Sequence, residues 1–230
     1  MQHSDPRPPE SGLPAAGLRW ERIIAIWLSV AAHIAAGFAL LLVQQGTEIG
    51  GAPPQRLEFV ASHPQLWTAA WSIWMIASAS FLAFAIAWTA KIWETSSDAA
   101  ERWISAAACV LGLLGISCDL AGETTLIFWL PHAKTPEEFL ATYRIYQWLS
   151  PAIANGLYCL AGLLLSAISW RQGWLAGLGG AIGFGIWTIG LVLTIAAIVD
   201  STSLMLLTGA ATIGLFIPWQ AWLGYETGKA

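Results

Sequence analysis

Asp119 and Glu123 invite chemistry more plainly than any other residues of this chain, because they stand well inside an apolar run from Ile104 to Leu130. Ionisable side chains at membrane depth are costly, and they mark a functional site by default. Four residues apart on a helix, the two acids share one face, one turn from each other. Gly112, Gly115 and Gly122 fall on that face at helical spacings, and small residues mark where another helix comes close. The spacing therefore turns both carboxylates toward protein, in the outer half of their helix.

A second stripe, on the following helix, carries Arg144, Trp148, Pro151, Asn155, Cys159 and Gly162, with Tyr158 beside it. Pro151 has no N–H, so the carbonyl of Gln147 loses its helical partner. Together the stripes predict a polar binding site of Asp119, Glu123, Arg144, Asn155 and Tyr158, opening to the extracytoplasmic side. The plain alternative is an ion pair from Arg144 to Asp119 or Glu123 that only satisfies buried charge. Two carboxylates against one arginine leave an acid over, and that acid suits proton transfer, cation binding or a hydrogen bond to a ligand.

His33, mid-way along the first apolar run with Gly37 one turn on, completes the candidate binding residues. A lone histidine in an apolar helix is more often a hydrogen-bonded packing residue. A bis-histidine haem needs two histidines at facing depths, whereas His63 and His132 fall near the outer ends. His33 with the two acids matches no metal-ligand spacing. No nucleotide, zinc-protease or hydrolase motif stands in a suitable context, so the expectation is no metal and no cofactor.

The elements that must position these residues follow from composition. The 230 residues are 57% hydrophobic and 10% charged, whereas soluble domains carry about a quarter charged residues. Six apolar runs each meet the roughly 20 residues that a helix needs to cross a hydrocarbon core. They do not alternate, which excludes a β-barrel and leaves helices. The fold expected is an all-α integral membrane protein, a six-helix transmembrane bundle with short loops. Its spans lie near 20–43, 65–90, 103–130, 142–170, 174–199 and 203–223, within a domain over 19–225. Residues 1–18, rich in Pro6, Pro8, Pro9 and Pro14, are expected as a disordered cytoplasmic tail, and 226–230 as a C-terminal tail.

Sorting lysines and arginines by side gives orientation. Arg7, Arg19, Arg22, Lys91, Arg102, Arg171 and Lys229 share the side of the termini, against Arg56, Lys134 and Arg144 opposite, seven to three. Both termini are therefore expected in the cytoplasm, and the chain in the inner (plasma) membrane as a multi-pass protein. The net charge of −4 with scattered cations offers nucleic acid no basic stripe.

Fifteen tryptophans are expected mostly as interfacial belts, with Trp20, Trp67, Trp88, Trp93, Trp103, Trp129, Trp170, Trp174, Trp219 and Trp222 at or near run ends. The connection from Gln44 to Gln65, with Pro53 and Pro54, suits a short interfacial helix. Thr135 and Glu138 suit a capping box. Cys109, Cys118 and Cys159 read as small packing residues. In the fifth helix Gly173/Gly177 and Gly179/Gly183 keep the four-residue spacing of close helix contacts, inside the bundle or, less simply, at a homo-oligomer or complex interface.

Three functions of different class stay open on these residues. One is binding or transport of a small amphiphile, cation or proton at the acidic site. Another is a membrane-embedded enzyme acting on a lipid or isoprenoid, with Asn155 and Tyr158 orienting substrate. The third is an accessory subunit of a membrane complex.

Overall fold

Proline and capping residues decide where the helices of this chain start. The structure, a computed structural model, describes residues 15–228. Pro53, Pro64 and Pro136 each open a helix, where the missing N–H would have been unpaired in any case. Asp98 accepts the N–H of Ala100 at 2.8 Å. Thr135 accepts from Glu138 N–H at 3.2 Å, and the Glu138 carboxylate turns back to accept from Lys134 N–H at 2.8 Å.

The elements are α1 (Ala15–Val43), α2 (Pro53–Ser62), α3 (Pro64–Thr95), α4 (Ala99–Thr124), α5 (Pro136–Gln147), α6 (Asn155–Arg171), α7 (Leu178–Ile198) and α8 (Thr202–Gly228). No strand occurs among the described residues. A π turn (Thr125–Trp129) and a 3-10 turn (Leu130–His132) extend α4, and a π segment (Trp148–Ala154) joins α5 to α6 in one continuous span. Among the described residues six helices are long and apolar enough to cross a membrane, so the chain folds as an all-α membrane bundle. Of the tail expected over 1–18, residues 1–14 lie outside the described residues and 15–18 already belong to α1. At the other terminus α8 continues to Gly228, through most of the expected tail.

Short connections make successive spans antiparallel neighbours. α1 packs on α3, α3 on α4, α4 on α6, α6 on α7, α7 on α8, and α8 returns to α1, which closes a ring. The start of α1 and the end of α8, with the α3–α4 and α6–α7 turns, lie at one end, the near end. The turns after α1 and α7, with α2, lie at the far end.

Aromatic rings fill the centre of the ring. Phe81, Phe84 and Trp88 of α3 meet Trp187 of α7 and Phe216 and Trp219 of α8, with centroids 5.3–6.5 Å apart and mostly edge-on or tilted. Each such pair adds about 0.5–1.5 kcal/mol beyond the area it buries. Outward, Phe38 is 67% and Leu207 68% exposed, a surface that only hydrocarbon tolerates.

Two expectations need correction. Trp67, Trp88 and Trp219 lie in the interior rather than in belts, because each indole N–H finds a partner there: Leu126 O at 2.8 Å, Ser169 Oγ at 2.9 Å and Gly179 O at 2.9 Å. With its N–H satisfied, an indole packs as the largest apolar side chain available. Gly173 and Gly177 belong to the turn before α7, with φ of +82° and +70°, a backbone that favours glycine. Only Gly179 and Gly183 are helical, and they seat the Trp222 and Trp219 rings of α8. That glycine stripe is filled from within the chain.

Candidate functional site

Glycine lets α4 press against the fourth span where the acids lie. A Cβ on Gly115 would stand 2.7 Å from the Tyr158 ring, and one on Gly122 would stand 3.2 Å from the Leu149 side chain. Midway between these glycines sits Asp119, and Glu123 follows one turn on, both buried. The face thus puts two carboxylates into the contact between α3, α4 and the fourth span.

Their partners are hydroxyls. Tyr158 O–H donates to Asp119 Oδ2 at 3.1 Å, and Ser78 O–H of α3 donates to Glu123 Oε1 at 2.7 Å. Ser150, in the π segment, lies beside Asp119. The remaining oxygens, Asp119 Oδ1 and Glu123 Oε2, are buried with no hydrogen-bond partner. Arg22–Glu94 and Arg171–Glu101 form ion pairs at the near end, and no ion pair is formed by Asp119 or Glu123. Neither acid of the pair therefore meets a protein cation.

Pro151 explains the local backbone. Lacking an N–H and occupying space in the preceding turn, it forces the helix wider, and the chain forms π turns from Trp148 to Ala154. On the facing helix Thr125–Trp129 is also π, beginning two residues after Glu123. Such bulges are rare and concentrate at functional sites. Here they bracket the acids from two sides.

The wider turn also rotates everything before it relative to everything after, so the α-helical stripe expected from Arg144 to Cys159 does not exist as one face. Arg144 is exposed and makes no ion pair with Asp119 or Glu123; it lines a cavity of about 170 Å³ at the far end instead. Asn155 turns to α7, donating to Gly190 O at 2.6 Å and Thr194 Oγ1 at 2.9 Å. It clamps two helices together. His33 Nδ1 stands 2.8 Å from the carbonyl of Ser29, an acceptor only, so Nδ1 carries the hydrogen; the ring packs edge-on to Phe216 at 5.3 Å. Of the expected residues, Asp119, Glu123 and Tyr158 come together, and Arg144, Asn155 and His33 take other places. No group of three His, Cys, Asp or Glu suited to a metal occurs among the described residues.

Three residues that pattern reasoning passed over belong to the site. Ser78 is one of several hydroxyl residues in α3, between Ser72 and Ser80, and nothing in the sequence sets it apart from them; Ser150 precedes Pro151. Tyr146 stands within electrostatic reach of Asp119 and Glu123 on one side and of Glu48 on the other, with Ser150 as a hydrogen-bond neighbour. Trp71 meets the Tyr146 ring edge-on at 5.2 Å. An interruption of an apolar run by Ser next to Pro was the available signal.

No family model, curated protein or solved structure matches the chain.

Proposed function

We propose that the protein binds and passes a single positive charge, a proton or a small hard cation, at the Asp119–Glu123 pair, as a membrane carrier or channel for that ion. The observation that carries this is the pair itself: two buried carboxylates, each with one oxygen unpartnered, and no protein cation beside them. Two unneutralised charges in so apolar a place would cost several kcal/mol each. A bound proton or cation removes that cost, and leaving again makes the site a relay.

The donor set supports the choice of ion. Carboxylate and hydroxyl oxygens from Asp119, Glu123, Ser78 and Tyr158 suit a proton or a hard cation. From the far end, Glu48, Tyr143, Tyr146 and Ser150 form a polar sequence toward the acids. A hydroxyl can accept a proton on one side and give one up on the other, so this file can hand charge inward without any large motion. On the lysine and arginine asymmetry, the far end faces out of the cytoplasm across the plasma membrane.

The test uses the full chain in liposomes loaded with a pH-sensitive dye under an imposed proton gradient, and in a second set loaded with a sodium-sensitive dye under a sodium gradient. Wild type should dissipate one of them, and Asp119→Asn and Glu123→Gln should each slow it at least about tenfold while melting near wild type. Flux unchanged in both amide variants overturns the proposal. A reporter after Ala230 should be active in the cytoplasm and one at Gly50 outside; both on one side would refute the orientation.

A further inference from the structure

The far-end cavity holds a second polar cluster, separate from the acid pair, although Glu48 and Tyr143 also stand in the file proposed to lead there. About 170 Å³ in size, it is lined by Glu48, Arg56, Tyr143, Arg144, Gln147 and Asp200, with apolar neighbours. Its volume matches several waters at roughly 30 Å³ each, or one small head group. Two positive and two negative side chains share this space.

None of the four forms an ion pair with another. The fold keeps them apart. Arg56 is 5% exposed, its Nε donates to Gly46 O at 3.2 Å, and its guanidinium lies over the rings of Tyr143 and Phe139 at 4.1 and 5.1 Å. Its Nη2 remains buried without a partner. A buried guanidinium N–H left unpaired is costly, so the arrangement makes sense when something else accepts from it.

Opposite the arginines, Asp200 sits at the α7–α8 turn with φ of +55°, a conformation that non-glycine residues seldom adopt and that gathers at functional sites. Gln147 holds it there, donating from Nε2 to Asp200 Oδ1 at 2.9 Å and to Ala197 O at 3.2 Å. Glu48 lies beside the Tyr143 hydroxyl. Asp200 is thus held by a neutral neighbour, and neither carboxylate is paired with an arginine.

We infer that this cavity binds a small zwitterion of the phosphoethanolamine kind, its anionic oxygens taken by Arg56 and Arg144 and its ammonium by Glu48 and Asp200. Guanidinium groups match the oxygens of phosphate and carboxylate in paired hydrogen bonds. Separated charges of both signs discriminate against a ligand bearing only one. The cavity lies at the ends of the spans, where head groups lie too, so the zwitterion comes either as a lipid head group or as a free solute.

The experiment titrates the purified full chain in detergent with O-phosphoethanolamine, inorganic phosphate and ethanolamine, reading melting temperature and calorimetric affinity. In a parallel arm, native mass spectrometry follows release from vesicles of mixed phosphatidylethanolamine and phosphatidylglycerol. Phosphoethanolamine should bind saturably and the two halves about tenfold more weakly or worse. Retention of phosphatidylethanolamine over phosphatidylglycerol identifies a lipid source; solute binding without that retention identifies a free one. Arg144→Gln and Glu48→Gln, at side chains without ion-pair partners, should melt as wild type without ligand and each weaken binding about tenfold. Equal binding of phosphate alone, or wild-type affinity in both variants, overturns the inference, as does binding of neither phosphoethanolamine nor its lipid.

Discussion

The centre of the bundle and the contact between α4 and the fourth span are built from opposite materials. In the centre, aromatic rings seat on glycines: a Cβ on Gly162 would overlap the Trp187 ring, and one on Gly183 would crowd Trp219. Every indole there has its N–H satisfied, Trp187 by Ser166 Oγ at 3.1 Å. At the acid contact glycines bring helices equally close, yet the space between holds carboxylates with open oxygens, and both backbones relax into π turns. One region satisfies its polar groups within the chain, and the other leaves two carboxylate oxygens without a partner. In lipid this division has a particular cause. Hydrocarbon is as apolar as a side chain, so helices are held by close packing and hydrogen bonds rather than by escape from water. The aromatic centre can supply that packing while the acid contact gives some of it up.

The largest effect should come from breaking the centre. Phe84 is fully buried against Phe81, Trp88, Phe216 and Trp219. Phe84→Ala should cost toward the lower end of the roughly 3–5 kcal/mol seen for such truncations, since the cavity counts but transfer from water does not. Reversible unfolding in mixed micelles measures it; a loss below about 1 kcal/mol would show that the ring cluster carries little of the packing.

Next comes overfilling. Gly162→Ala must displace Trp187, a side chain 3% exposed with its N–H anchored, and should cost about 1–3 kcal/mol. Gly185→Ala, where a Cβ meets nothing, should be neutral or stabilising by helix propensity. Equal melting of the two variants would contradict the seating of tryptophan on glycine.

Smaller still is Ser78→Ala, which removes the donor to Glu123 Oε1. A loss of about 1 kcal/mol is expected, with ion flux reduced more than stability. Glu123→Gln should move stability by less than that and abolish flux, the contrast that separates a working site from a scaffold. Should Glu123→Gln instead unfold the protein, the two regions would be alike in kind.

The smallest effect falls at Arg144. The sequence pattern implies a buried ion pair whose rupture would cost about 3–5 kcal/mol. Exposed and without an ion-pair partner, Arg144 should be replaceable by Met within about 0.5 kcal/mol. A large destabilisation would restore the paired arrangement.

Membrane character, the number of spans and the buried side of α4 were legible in residue order, because run length against bilayer thickness and the spacing of glycines around Asp119 are local properties. They survive any arrangement of neighbours. Which tryptophans enter the core was not legible: the N–H of Trp67 depends on a carbonyl 59 residues away and that of Trp88 on a hydroxyl 81 residues away. Nor was the partner set of the acids. Pro151 announced a disturbed helix, but whether the chain kinks, frays or widens depends on what packs against it. The answer, a π segment, shifts the angular phase of the helix and carries Arg144 off the face that a strict 3.6-residue period assigns to it. Ser78, from a different span, supplies the hydroxyl in its place. Residue order determined which groups are buried charges; only the packing of α3 and the fourth span around α4 decided that hydroxyls, and not an arginine, would face them.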